Sequence, residues 1–365
     1  MAVGSRIAIG VLAILMVPGL LAACGSDDTT SPAASASGPP RGSLRVFAYE
    51  DGFAPAYIKP FKKQYPDVDL RTSSYDSGDA AVAKMRAGFQ TDVVNLCVEE
   101  NAERAVTLGL LQPIDTSRLE HWDRLFPAFK GLPGVTVNGK TYMVPVDAGV
   151  TGIIYRTDKI DPAPTRFADL FDDKYAGRVA MIDYPVTAIQ VGALALGFSD
   201  PQHLTDEQLS QVRELYLSKK SNFRTLWSSW SDITQLFKTG EIWISVGYPG
   251  YPADLKKEGV PVDFALAEEG QLLWTCGYGI SKDCKNLDAA YALLNYYTSP
   301  EAQAYEASEW HYMVSNQDTL DVVSDKVRTE AGLDRPNDLG NALPAGPPKI
   351  GYDKWVRVWQ EFKVK

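Results

Sequence analysis

The chain holds only three histidines, His121, His203 and His311, and no two stand at metal-ligand spacing. A zinc centre is therefore not expected. No Gly-x-Ser-x-Gly elbow, P-loop or dinucleotide fingerprint occurs. Gly277-Tyr278-Gly279 is too short a glycine pair to cradle a phosphate. Tyr296-Tyr297 has the residue type that ligates ferric iron, but it shares an apolar helical periodicity with Leu293 and Leu294 and reads as core. His311, in Trp310-His311-Tyr312, reads as a packed surface histidine. No cofactor is implied. Catalytic triads assemble from distant residues, so an anchored enzyme or a sensor subunit stays open as an alternative to binding.

Cys24 is the reactive residue with the clearest context. Arg6 precedes an apolar run from Ile7 to Ala23, and Leu21-Ala22-Ala23 leads into Cys24. Small residues before that cysteine mark a cleavage site rather than a continuing membrane helix. The quartet resembles a bacterial lipobox, in which the cysteine thiol is diacylated and becomes the new N-terminus. Residues 1–23 are then a signal peptide. The Ser, Ala, Pro and Gly-rich stretch that follows, to residue 42, is a flexible tether. The protein is expected on the extracellular face of the cell membrane, or in the periplasm, held by lipid.

With 365 residues, 45% hydrophobic and 22% charged, a globular fold of two lobes is expected. A formal net charge of -10 argues against nucleic acid, which requires clustered Lys and Arg. It is compatible with a cationic ligand.

Strand and helix signals alternate along the chain. Leu44 to Tyr49 alternates as a strand, Tyr57 to Tyr65 is helical, Val68 to Tyr75 alternates again and Ala80 to Phe89 is helical. Thr91 to Cys97 is a buried strand, and Asn101 to Leu108 is a helix stopped by Gly109. A second unit opens at Tyr142-Met143-Val144-Pro145. It carries Gly152 to Tyr155, the strand Arg178 to Ile182, a helix from Thr187 to Leu196 and a strand through Glu241 to Val246. Later, Ser299 caps a helix whose first turn holds Pro300. Such alternation predicts doubly wound α/β lobes. Ligands there sit beyond the C-terminal ends of the strands, beside Tyr49-Glu50-Asp51 and Cys97-Val98-Glu99.

Several short motifs fall in a recognisable order. They are the lipobox and tether, Tyr49-Glu50-Asp51, Asp92-Val93-Val94, and Gly109-Leu110-Leu111-Gln112-Pro113-Ile114-Asp115. Tyr142-Met143-Val144-Pro145 and Phe167-Ala168-Asp169-Leu170-Phe171 follow, with Lys174-Tyr175-Ala176-Gly177, Gly240-Glu241-Ile242 and Glu269-Gly270. Last comes the block from Asn286 to Gln303. The chain resembles the extracellular solute-binding proteins of ABC importers, spermidine/putrescine type, over nearly all its length after the tether. The resemblance implies an α/β fold of periplasmic-binding-protein type II, with two lobes joined by crossing strands near Val146 to Gly149 and Leu273 to Cys276. Lobe 1 would take residues 43–147 and 276–318, and lobe 2 residues 148–275 and 319–365. The ends of the chain at Trp355 and Trp359 would return to lobe 2. Hinge closure would clamp the ligand.

The resemblance also implies a ligand set. Tyr49, Tyr248, Trp274 and Tyr312 fall where the family stacks its ligand, forming an aromatic cage that attracts cations. The family's acids fall on Tyr184, Thr187 and Cys276, and its Ser and Tyr beyond the third strand on Leu96 and Val98. Charge would then come from Glu50, Asp51, Asp147 or Asp183, and a cation less charged than spermidine, or one whose charge is delocalised or quaternary, is expected. The strand ending at Cys97 would lie antiparallel to the one starting at Cys276, giving a Cys97–Cys276 disulfide with Cys284 left over. The implied activity is capture of a small organic cation, a polyamine being the leading class. The protein would act as a monomer that serves an ABC permease, without nucleic acid and without catalysis. A thiamine-like ligand, an amino-acid derivative or a sugar are the alternatives.

Overall fold

The computed structural model describes residues 38–333, 343–348 and 351–364. The signal segment, Cys24 and most of the tether lie outside the described residues. The first lobe forms around β1 (Gly42–Ala48), which pairs in parallel with β2 (Val68–Ser74) and with β3 (Val93–Cys97). Parallel pairing needs a crossover between strands, and helices α1 (Pro55–Gln64) and α2 (Gly78–Arg86) supply it. Helix α1 buries Tyr57, Ile58 and Phe61. The Ser77 hydroxyl caps α2 by accepting the amide of Ala80 at 3.2 Å.

The two pieces expected at Tyr142–Pro145 and Gly152–Tyr155 are one strand, β4 (Met143–Arg156). Pro145, Gly149 and Gly152 look like punctuation in the sequence, but pairing on both sides overrides that local signal. Five further strands of four or more residues join the sheet: β5 (Val179–Ile182), β6 (Phe223–Trp227), β7 (Ile244–Gly247), β8 (Val262–Ala265) and β9 (Leu272–Ser281). Residues 143–151 of β4 pair antiparallel with β9. Residues 152–156 pair with β7 and β8 instead. One strand therefore belongs to both lobes. The sheet order is β2-β1-β3-β9-β4-β7-β5-β6. The crossings expected near Val146 and Leu273 lie inside β4 and β9.

In the second lobe, β5 pairs in parallel with β6 and β7. Helix α3 (Pro185–Ala195) is buried almost all round, because α4 (Asp206–Ser218) and the C-terminal helix both pack on it. Helices α5 (Trp230–Thr239) and α6 (Gly250–Lys257) follow β6 and β7. Helices α7 (Leu287–Tyr297) and α8 (Pro300–Glu309) come after β9. Ser299 caps α8 through the amide of Ala302, as its sequence suggests. The C-terminal helix, α9 (Tyr352–Val364), buries Trp355, Trp359 and Phe362.

Tyr296 and Tyr297 pack as core, donating to the backbone carbonyls of Tyr57 and Gly52. Among the described residues, no helix is long and apolar enough to cross a membrane.

Candidate ligand cleft

The parallel strands β1, β2, β3, β5, β6 and β7 all end on one cleft of about 910 Å³. This is where open α/β sheets place ligands, because loops diverge beyond the strand ends. The end of β1 delivers Tyr49, Glu50 and Asp51. Strand β5 delivers Asp183 and Tyr184, β7 delivers Tyr248, and the crossing strands deliver Asp147 and Trp274. Tyr312 joins them from the turn after α8. All nine of these candidate ligand residues thus line the same cleft.

The aromatic side chains form a wall with a gap in it. Trp274 meets Tyr312 edge-on at 4.9 Å and Tyr248 at 5.7 Å. Tyr49 touches none of these rings and packs against Tyr75 at 4.6 Å. Gly149 is what lets the Trp274 indole lie flat over β4. A Cβ there would come within 2.4 Å of the ring. Trp274 is 9% exposed, and its indole Nε1 has no hydrogen-bond partner within the protein.

The acids have a different distribution from the one expected. Asp183 is occupied: the Trp359 indole donates to it at 2.8 Å and Lys363 at 2.6 Å. Glu50 is exposed at the rim. Asp51 is partly buried in the cleft wall, and desolvation raises its pKa to about 6. Asp147 is raised well above the usual carboxylate range, first by desolvation and then by the charge of Asp51. Two further acids, which sequence reasoning missed, share the cleft. Glu306 of α8 is 2% exposed and raised by desolvation and by Asp147. Glu100 accepts from the Tyr184 hydroxyl at 2.9 Å, and its pKa reaches about 8 through desolvation, opposed by that bond and reinforced by Glu99. Behind it, Glu99 accepts the amide of Thr275 at 2.9 Å and is raised to about 7 by desolvation. The cleft is therefore rich in carboxylates, and the expectation of a sparsely charged cage is corrected.

A sequence signal existed for Glu306. It stands on the α8 face that buries Ala302, Gln303 and Ala307, where a helical plot places an acid on the inner stripe. No comparable signal marked Glu100. It reads as an ordinary acid before a helix, yet it lies in a π-helical turn, Val98–Ala102, which turns its side chain to the cleft. Leu96 and Val98, where the resemblance places two polar ligand residues, are buried in the apolar core.

Cys97 and Cys276 stand opposite each other in the β3–β9 ladder and are joined by a disulfide in the cleft wall. Cys284 is a half-buried free thiol whose pKa burial raises to about 11. Among the described residues, no group of three or more His, Cys, Asp or Glu side chains is arranged to hold a metal ion.

Comparison with known proteins places this geometry. The family model of the bacterial extracellular solute-binding protein matches residues 56–333. The putrescine-binding periplasmic protein PotF of Escherichia coli is 26% identical over 341 residues, 88% of this chain and 91% of that one. A putrescine/agmatine-binding protein of Pseudomonas aeruginosa is 28% identical, covering 88% and 92% of the two chains. The solved structure of a putative spermidine/putrescine ABC transporter from Listeria monocytogenes superposes with a TM-score of 0.78 at 22% identity, covering 88% and 99%. The TpPotD lipoprotein of Treponema pallidum gives 0.72 at 17% identity, covering 88% and 98%. The fold is that of these two-lobed binding proteins.

Proposed function

The chain belongs to the bacterial extracellular solute-binding proteins, and from that premise we propose that it captures a polyamine between its lobes and delivers it to an ABC importer. The observation that carries this reading is the set of desolvated carboxylates facing an aromatic wall. A buried carboxylate without a counter-ion is costly. A linear ammonium ligand supplies the charge, and its methylene chain packs on the rings. The relatives named for putrescine support the ligand class. Capture requires no covalent step, and the protein acts as a binding subunit and not as an enzyme. Lipid on Cys24 anchors the monomer outside the cell membrane. Replacing Cys24 with Ala is expected to move the protein from the membrane to the soluble fraction, and retention would contradict the anchor.

A thermal-shift screen tests the ligand class, with putrescine, cadaverine, spermidine, choline, thiamine and a neutral disaccharide as arms. A ligand at a hundredfold excess over its Kd stabilises the folded state by about 2.7 kcal/mol. The linear polyamines should raise the melting temperature most. A large shift with the disaccharide and none with any cation would overturn the reading. Trp274→Ala is expected to weaken binding about tenfold, since a cation–π contact contributes about 0.5–2 kcal/mol.

A further inference from the structure

Tyr352 opens α9, the C-terminal helix that packs on α3 and α4 of the second lobe. Its hydroxyl donates to Asp79 Oδ2 at 2.5 Å. Asp79 stands in the first turn of α2, in the first lobe. The bond therefore joins the two lobes.

The first lobe presents Asp79 already aligned. Its other oxygen, Oδ1, accepts from Asn101 Nδ2 at 3.1 Å and from Arg104 Nη1 at 2.6 Å. Asn101 is buried, in the π-helical turn that also carries Glu100. It reaches Asp79 because residue 78 is glycine: a Cβ there would come within 1.7 Å of the Asn101 side-chain oxygen. With Oδ1 occupied from its own lobe, Oδ2 is the atom left for a donor from the other lobe. Tyr352 keeps its proton, because desolvation and then the Asp79 charge push its hydroxyl above the usual range. A charged acceptor held in place and a permanent donor make a directional bond.

This contact stands apart from the ligand site. None of Asp79, Asn101, Arg104 and Tyr352 lines the cleft, whereas Tyr184 and Glu100, a second hydroxyl–carboxylate pair between the lobes, both do. The segment before α9 leans on the first lobe as well. A Cβ on Gly346 would come within 2.5 Å of the Glu99 carbonyl oxygen. From the second lobe, Gln190 of α3 and Gln202 each donate to the Gly346 carbonyl at 3.4 Å. An interlobe bond that a hinge motion makes and breaks stabilises the closed state alone. Apparent affinity falls with the fraction of protein that is closed.

We propose that Tyr352 and Asp79 form a latch between the lobes, outside the cleft, that favours closure and so tightens every ligand by one common factor. This rests on capture between the lobes and deepens it, with no contact to the ligand.

Titration calorimetry of wild type, Tyr352→Phe, Asp79→Asn and the double variant, with putrescine and with cadaverine, tests the latch. Tyr352→Phe keeps the ring and removes only the donor. It should weaken both diamines about three- to tenfold, the effect of one hydrogen bond, and by the same factor. The double variant should be no weaker than the weaker single variant, because the two groups act as one pair. The melting temperature of ligand-free Tyr352→Phe should stay within about 3 °C of wild type. Unchanged affinity, unequal factors for the two diamines, additive losses or a larger fall in melting temperature would each overturn the latch and leave the polyamine reading standing. Wild type that binds choline, thiamine or a neutral disaccharide but no diamine would overturn the polyamine reading alone. Tyr352→Phe must then weaken that ligand by the same three- to tenfold for the latch to stand. Wild type that binds none of these would overturn both.

Discussion

Asp92 and Glu306 are both buried carboxylates, with opposite surroundings. Asp92 stands just before β3, at its N-terminal edge. It accepts from the Arg45 amide and guanidinium at 2.8 to 2.9 Å. Burial would raise its pKa, but the bonds from Arg45 outweigh burial and hold it below the usual range. Glu306 faces the cleft beyond the C-terminal edge, and every charged group acting on it is another acid. A carboxylate with its own arginine is part of the scaffold. A carboxylate whose environment opposes its charge is a standing cost that only a ligand removes.

The largest expected effect separates these two roles through binding. The double variant Asp147→Asn with Glu306→Gln should lose at least two decades of putrescine affinity, about 2.7 kcal/mol or more. The two single effects should not add, because the groups are neighbours. Asp92→Asn should leave affinity within about threefold. An Asp92 effect equal to that of the cleft acids would break the comparison.

Stability should reverse the ranking. Asp92→Asn is expected to destabilise the ligand-free protein by about 1–3 kcal/mol in urea unfolding, since it removes charged hydrogen bonds of which Arg45 is the donor. Glu306→Gln should be neutral or stabilising at pH 8, where it removes an opposed charge while a hydrogen bond from Tyr57 can persist. Strong destabilisation by Glu306→Gln would make that residue structural.

The ligand-free protein should also respond to pH. Unfolded carboxylates titrate near pH 4. Asp51, Glu99 and Glu100 hold their protons to about 6, 7 and 8 in the fold. The folded state then binds more protons than the unfolded one, so stability falls as pH rises from about 4 to 8. The melting temperature should drop by a few degrees between pH 5 and 8, and saturating putrescine should remove most of that drop. The smallest effect belongs to the rim. Lys257 bridges to Glu309 at 2.6 Å with both side chains about half exposed. Lys257→Ala should cost less than about 1 kcal/mol.

The sequence carried the scaffold and the rings better than the charges. The end of β1 was readable from alternation and those of β3, β5 and β7 from short apolar runs, and Tyr49, Tyr248, Trp274 and Tyr312 from resemblance to a family. Those positions depend on strand ends, which leave a local pattern. The long β4 was read as two fragments because its continuity is set by partners far away in the chain. Glu100 escaped because a π-helical turn changes which side chain faces inward, and nothing in Val98-Glu99-Glu100-Asn101 announces that turn. Asp183 and Glu50 were candidates by proximity alone. Whether such an acid faces a cleft or a lysine such as Lys363 is decided by tertiary packing.

Calorimetric titration of wild type with putrescine at pH 6 and at pH 8 tests the central claim most directly. The ligand amines stay charged across this range, their pKa lying near that of lysine, about 10.4. Any change in affinity therefore reports the protein's own acids. Binding at both values, with affinity at least about fivefold higher at pH 8, is the expected result. Absence of binding, or an affinity equal at the two values, would contradict a cleft whose carboxylates await a cation.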